Sequence, residues 1–252
     1  MTVTAIDKKM RLDLALVARG LVATRARARD LILRGAVRIG HLVADRPAQM
    51  IASDMQLGVD GGANAYVARS AEKLIAALDA FGFSAEGRIA IDVGASTGGF
   101  TQVMLERGAA KVYAVDVGHG QLHAIVAGDA RVISLEATDA RALDVGLIPD
   151  AIDAIVADVS FISLAKALPA ALALATPGCW LAVLVKPQFE LGPEAIGKGG
   201  IVKDPADGPR ALGLVMDWIG LLPGWHVVGT LPSPLPGKSG NQEYLLGAHY
   251  RG

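Results

Sequence analysis

From residue 68 onward one pattern repeats: a short, nearly continuous apolar run, a tight turn, then apolar residues at helical spacing. The runs are Ile89–Val93, Val112–Asp116, Val132–Leu135, Ile152–Asp158, Cys179–Lys186, Val227–Leu231 and Tyr244–Ala248. Helical stretches lie between most of them, over Ala71–Ala80, Gly99–Arg107, Gln121–Val126, Leu164–Ala175 and Arg210–Gly220. Apolar strands that alternate with amphipathic helices bury both as a parallel sheet covered on two faces. An α/β fold is therefore expected, with its ligand beyond the carboxyl ends of the strands.

The first 60 residues are built differently. Leu12, Leu14, Ala15, Val17 and Ala18, then Ala28, Leu31, Ile32 and Leu33, predict two helices, with Gly20 and Gly35 placed to stop them. Val37–Val43 alternates as a short strand, and Leu57–Val59 supplies another. The run Asp60-Gly61-Gly62-Ala63-Asn64 reads as a linker. Charge divides the chain in the same place. Residues 1–46 hold ten Lys and Arg against four Asp, a balance of +6, so the remainder carries −7 although the whole chain is only −1. A basic module on a larger acidic one points to a polyanionic partner, against the plainer reading of a solvated arginine-rich helix face.

At 252 residues, with 52% hydrophobic and 19% charged residues, the chain has material for a real core, which excludes disorder as its main state. One Cys excludes an internal disulfide framework and a cysteine zinc cluster, so no metal is expected and a reducing cytoplasm is. MTVTAIDKKM has no apolar core and cleavage site of a signal peptide. Residues 167–185 are uncharged and near the length of a membrane span, but Thr176-Pro177-Gly178 interrupts them. A helix ending near Ala175 followed by a buried strand explains the same letters.

The sharpest local signal is Asp92-Val93-Gly94-Ala95-Ser96-Thr97-Gly98-Gly99-Phe100, which follows a strand and opens a helix. Glycines there let main chain approach a ligand. The spacing is not G-x-G-x-x-G, and an acid at the strand end repels a pyrophosphate, so NAD fits poorly. Asp116, 24 residues on, stands where a ribose-binding carboxylate belongs, and Asp139 after the third strand is placed for an adenine amino group. Together they favour S-adenosyl-L-methionine. The competing reading is a structural turn with helix-capping carboxylates. Gly237-Lys238-Ser239 echoes a phosphate loop, but Pro232 stands where its first glycine belongs.

Base amino methylation commonly uses an Asp/Asn-Pro-Pro-aromatic loop, whereas here the fourth strand ends in Asp158-Val159-Ser160-Phe161. Pyrimidine carbon methylation needs a Cys nucleophile, and Cys179 sits in an apolar strand. Lys73, Asp158, Lys186 and Glu243 remain, at strand and helix ends. A ribose 2′-hydroxyl needs a base, and a lysine partly desolvated beside another cation can act as one. Lys186 is the candidate base, Lys73 the neighbouring cation, and the two carboxylates would orient them. Each alone reads more readily as a surface ion pair, and only the four together carry weight.

The runs RLDLALVARGLVATRARARDLILRGAVRI, AYVARSAEKL, DVGASTGGFTQ, VYAVDVGHGQL, ADVSFISL, LVKPQFE, KGGIVKDP and SPLPGKSGNQEYLL follow one another from residue 11 to residue 246. In these the chain resembles the TlyA family of bacterial rRNA 2′-O-methyltransferases, some of whose members are also named haemolysins. The resemblance implies a Rossmann-like class I S-adenosylmethionine-dependent methyltransferase of the FtsJ type, joined to a small N-terminal α+β module like that of ribosomal protein S-four. It implies residues 1–60 as the RNA-binding module, 61–67 as linker and 68–252 as the catalytic domain. The family's Lys-Asp-Lys-Glu tetrad falls on Lys73, Asp158, Lys186 and Glu243. Its cofactor site falls on Asp92, Gly94, Ala95, Ser96, Gly98, Gly99 and Phe100, with Asp116, Val117 and Asp139 following and Asp158 beside them. Arg11, Arg25, Arg27, Arg29, Arg34 and Arg38 are its expected grip on RNA. Two runs depart from the family: Arg69-Ser70-Ala71-Glu72 replaces the usual Arg-Gly-Gly, and Pro236-Gly237-Lys238-Ser239-Gly240 differs from the commoner loop.

The expectation is therefore transfer of a methyl group to a ribose 2′-oxygen, cytidine by resemblance, in ribosomal RNA, on a flipped-out nucleotide and without a membrane partner. Two other readings predict different features. A membrane-active haemolysin needs a long exposed apolar or amphipathic segment. A catalytically silent ribosome-assembly clamp would tolerate loss of the four charged residues.

Overall fold

A computed structural model describes residues 9–22, 24–33, 35–59, 66–237 and 239–252. The chain divides into two compact units, Met1–Tyr66 and Val67–Gly252. The linker expected at 61–67 falls largely outside the described residues, as does Arg34.

In the first unit β1 (Met10–Arg11) leads into α1 (Leu12–Ala18) and α2 (Arg25–Leu33), followed by β2 (Val37–Ile39), β3 (Leu42–Val43), β4 (Met50–Ile51) and β5 (Leu57–Val59). Gly20 (φ +67°) and Gly35 (φ +70°) end the two helices in the left-handed region that glycine tolerates. The single strand expected over Val37–Val43 is a hairpin: β2 and β3 pair antiparallel around Gly40 and His41, and β5 adds to β2. Leu12, Leu16, Leu31, Ile32, Val37 and Ile51 form the core.

Beside that core lies a buried carboxylate. Asp13 is fully enclosed and accepts from Arg11 Nε and Nη2 (3.0 and 2.9 Å) and from Arg25 Nε (3.0 Å). The Arg11 guanidinium first, then that of Arg25, holds its carboxyl at about 2 against an ordinary 3.8. A group depressed in the folded state stabilises above its unfolded value and loses that contribution as pH falls through the folded one. Asp13→Asn should therefore cost the small unit on the order of 2 kcal/mol at neutral pH, a difference that closes between about pH 4 and 2. Amide exchange at Leu16 and Ile32 in the full chain reads this unit alone.

The second unit contains α3 (Ala71–Phe81), β6 (Ile89–Val93), α4 (Gly99–Glu106), β7 (Lys111–Val115), α5 (Ala124–Ala127), β8 (Val132–Leu135) and β9 (Ile152–Ala157). It continues through α6 (Leu164–Ala167), α7 (Pro169–Ala173), β10 (Ala175–Val185), α8 (Pro187–Glu190), α9 (Asp207–Leu221), β11 (Trp225–Pro232) and β12 (Tyr244–Tyr250). Pro169 divides the single helix expected over Leu164–Ala175, since proline has no N–H for a continuing helix. The seven strands lie in the order β11-β12-β10-β9-β6-β7-β8.

Five neighbours, β10, β9, β6, β7 and β8, are parallel, whereas β12 runs antiparallel between β10 and β11. The expected all-parallel sheet is thus mixed at one edge. Strand order reverses between β6 and β9, and the crevice above such a reversal is where α/β sheets hold ligands. Ile91, Val93, Ile155, Leu181 and Val183 run through the core at this centre.

The uncharged run 167–185 folds as α7 and β10, with residues 179–185 buried inside the sheet. Thr176-Pro177-Gly178 lies within β10 instead of ahead of it, as an irregularity between the Ala175 and Trp180 pairings, with Gly178 at φ +92°. Among the described residues no helix is long and apolar enough to cross a membrane.

Candidate active site

The loop from β6 to α4 folds tightly because its glycines allow it. Gly94 (φ +82°) has no room for a side chain: a Cβ would stand 2.8 Å from the Asp158 carbonyl oxygen. Gly94 and Ala95 N–H both donate to the Val115 carbonyl (2.8 and 3.0 Å), and Gly98 N–H donates to Ala95 (2.7 Å). Gly98 (φ +93°) starts α4, and Gly99 passes close under Ala68 and Ser70. Ser96 carries a left-handed backbone (φ +48°) and donates its N–H to Asp116 Oδ2 (2.8 Å). Phe100 is buried below, on the same helix start.

Asp92 lies fully buried beneath this loop. Thr101 Oγ1 donates to its Oδ2 (2.6 Å), while Oδ1 has no partner among the described residues. Burial pushes this carboxyl up to about 7, assisted by the charges of Asp158 and Asp116 and opposed by the Thr101 hydroxyl. The unfolded chain ionises near 4 and the folded one only near 7, so the folded state holds the extra proton between those values. Stability falls with rising pH across that window. Asp92→Asn should flatten that slope, by on the order of 3 kcal/mol between pH 4 and 7, read by urea unfolding at both ends.

Two cavities open at the carboxyl ends of the strands. One, of about 390 Å³, is lined by Gly94, Ser96, Asp116, Val117, Gln121 and Asp139 among others. Asp116 accepts from Ser96 and Gly118 N–H, which leaves each oxygen a further lone pair. Asp139 lines the same cavity, but its carboxylate caps the Ala140–Ala142 turn and is gripped by Arg141, which holds it at about 2. It is less free than the sequence alone implied.

The second cavity, of about 530 Å³, gathers all four residues of the charged set. Lys73 comes from the first turn of α3 and its Nζ donates to Glu243 Oε2 (2.5 Å), just ahead of β12; both side chains are buried. Lys186 directly follows β10 and is 9% exposed. Its Nζ stands 2.6 Å from Asp158 Oδ1, an ion-pair distance though off the line of a good hydrogen bond, and donates to Ser160 Oγ (2.9 Å). Each lysine thus has its own carboxylate, Asp158 from the end of β9 and Glu243 from the start of β12.

Gly94, Ser96, Asp158, Ser160 and Phe161 line both cavities, so the two spaces adjoin. Ser160 and Phe161 escaped the sequence reading. Phe161 is 91% exposed in a left-handed conformation (φ +66°), with its ring 5.2 Å from that of Phe189. An aromatic residue directly after Asp158-Val159-Ser160 was the available signal; its positive φ was not visible. Gln188, Arg69 and the Gly199-Gly200 turn also line the second cavity.

Of the arginines expected on RNA, Arg11 and Arg25 hold Asp13 and Arg27 pairs with Asp30. Arg29 and Arg38 are exposed on α2 and β2. The first three therefore carry structural duties in the small unit as well.

A mostly parallel sheet with a glycine cradle at its reversal point and a lysine–carboxylate cavity beside it defines a Rossmann-like methyltransferase, an enzyme. The FtsJ-like methyltransferase family matches residues 66–250, and the S4 domain matches residues 10–57. The chain is 47% identical over 240 residues to the 16S/23S rRNA (cytidine-2'-O)-methyltransferase TlyA of Mycobacterium tuberculosis, covering 95% of this chain and 89% of that one. It is 38% identical to Hemolysin A of Brachyspira hyodysenteriae, covering 96% and 99%. The solved structure of a hemolysin-named protein from Streptococcus thermophilus superposes with a TM-score of 0.73 at 38% identity, covering 97% of this chain and 89% of that one. The chain belongs to the FtsJ-like methyltransferases, in the TlyA group that joins this domain to an S4 domain.

Proposed function

We propose that the protein uses S-adenosyl-L-methionine to methylate a ribose 2′-hydroxyl, that of a cytidine, in ribosomal RNA of the small subunit, the large subunit or both. The observation that carries this reading is the pair of adjoining cavities, one cradled by glycines and the other holding the whole charged set. The first fits the cofactor: Gly94 and Ser96 bring the tight loop to its wall, and Asp116 keeps a lone pair on each oxygen for ribose hydroxyls. Val117, exposed beside Asp116, offers an apolar face to a base, and Asp139 lines the same cavity although Arg141 occupies both its oxygens. When bound, S-adenosyl-L-methionine supplies an electrophilic methyl group.

The chain's residues prepare the acceptor. Asp158 and Ser160 fix where Lys186 Nζ points, and that nitrogen, once it has lost its own proton, takes the one on the 2′-hydroxyl. The Lys73–Glu243 pair anchors the far wall of the same cavity, and Phe161 offers a ring on which an unstacked base can lie. The exposed Arg29 and Arg38 of the S4 unit support RNA phosphate contact, with Arg34 expected beside them. The test is transfer of labelled methyl to isolated ribosomal subunits and whole ribosomes, followed by nucleoside mass analysis. A 2′-O-methylcytidine product is expected. A methylated base would overturn the acceptor assignment, and no transfer to any ribosomal particle would point to a different RNA or to a non-catalytic clamp.

A further inference from the structure

Glu190 is a partly enclosed acid that the reaction described above leaves unused. It ends α8, four residues after Lys186, on the element that Lys186 itself opens. Its Oε1 accepts the main-chain N–H of Leu164 (2.9 Å), across 26 residues of chain. Burial pushes its carboxyl up, opposed by that same N–H.

Leu164 is the first residue of α6, where a helix leaves its N–H groups unsatisfied. The neighbour placed to cap it, Ser163, makes no side-chain capping bond. Glu190 does so from another element. What lies between is the segment that matters: Asp158, Ser160 and Phe161 all stand between β9 and α6. Its near end is tied by Asp158 N–H to the Val93 carbonyl (3.0 Å), and its far end by Leu164 to Glu190. The contact between Phe161 and Phe189 joins the same two elements halfway along.

We infer that Glu190 is a positioning residue: its carboxylate, by holding the Leu164 N–H, locks the segment bearing Asp158, Ser160 and Phe161 onto the element that begins at Lys186. The left-handed Phe161 gives this lock something to hold, because a non-glycine residue at φ +66° is sustained only by its surroundings. A mere helix cap would contribute to stability and leave turnover alone. A lock on the Lys186–Asp158–Ser160 geometry acts on turnover, since displacements of an ångström at a reacting group cost up to about a hundredfold.

The inference rests on the methyl-transfer reading, and the test separates the two. Glu190→Met keeps the volume and removes the acceptor, whereas Glu190→Gln keeps an oxygen that can accept from Leu164. In the full chain, Glu190→Met should lower kcat by about 10- to 100-fold with the KM for S-adenosyl-L-methionine little changed, and should speed amide exchange at Leu164 and Phe161. Glu190→Gln should retain both turnover and protection. Unchanged kcat in the Met variant overturns the inference, as does loss of kcat with Leu164 still protected, or a Gln variant as slow as the Met one. Exchange is measured without substrate. If the wild type transferred no methyl, the functional reading would fall, while unchanged exchange in the Met variant would separately overturn the lock.

Discussion

Replacing Lys186 by Ala is expected to lower methyl transfer to the ribose by about a thousandfold and to leave binding of S-adenosyl-L-methionine in place. The cavity proposed for the cofactor is lined without Lys186, so binding measured by calorimetry should be little changed. On the proposed mechanism turnover needs a nitrogen that can give up and take back a proton, and Lys186 Nζ is held by Asp158 and Ser160. The informative companion is Lys186→Arg. Arginine keeps a positive charge beside Asp158 but does not surrender its proton, so that variant should be as slow as the alanine one. An active arginine variant would mean that position 186 works as a fixed cation, and another group would have to serve as base. Initial rates with labelled methyl donor on ribosomal subunits decide between them.

A chain beginning at Val67 should lose rRNA binding at moderate salt by at least about a hundredfold, although its own core and both cavities are complete. Val67–Gly252 carries fourteen Lys and Arg against nineteen Asp and Glu, and a net negative surface is repelled by phosphate. The arginine-rich unit that precedes it carries the compensating charge. Binding of the full chain should weaken steeply as salt rises, whereas the shortened chain should show little slope at any salt. Equal binding by the two at moderate salt would mean that the catalytic unit recognises RNA by shape or stacking at its cavity mouth. Filter binding to isolated ribosomal subunits across a salt series reads both quantities.

The parts of this fold that were legible in sequence are those decided by neighbours along the chain. Ile89–Val93 followed by Gly94 gives a strand and a turn whatever else the protein does. Gly20 and Gly35 stop helices because of their own backbone freedom. The parts that were not legible depend on distant partners. The helix expected over Gln121–Val126 shrinks to Ala124–Ala127 because the N–H groups of Gly120, Gln121 and Leu122 are taken by the Glu136 carboxylate. The direction of β12 is not written in its apolar run, since buried strands of either polarity look alike. A clue did exist: no helix is spelled between Leu231 and Tyr244, and strands joined without a crossover helix pair antiparallel. Asp139 shows the same limit at the site, where position suggested an adenine contact and Arg141 turned out to hold the carboxylate. Lys73, Asp158, Lys186 and Glu243 could be singled out from their positions at strand and helix ends, but the pairing of Lys73 with Glu243 and Lys186 with Asp158 required the fold.

The place of β12 has a consequence for the chain as it is synthesised. Because this strand runs against its neighbours, its beginning, not its end, lies at the ligand side of the sheet, and so Glu243 reaches the cavity only after nearly the whole chain has been made. A chain interrupted between residues 187 and 242 has the glycine loop and three of the four charged groups. It also has Lys73 in its buried position with no counter-charge, a costly arrangement. Such a chain also lacks β12, the partner of both β10 and β11, so the step that completes the charged set is the one that closes the sheet.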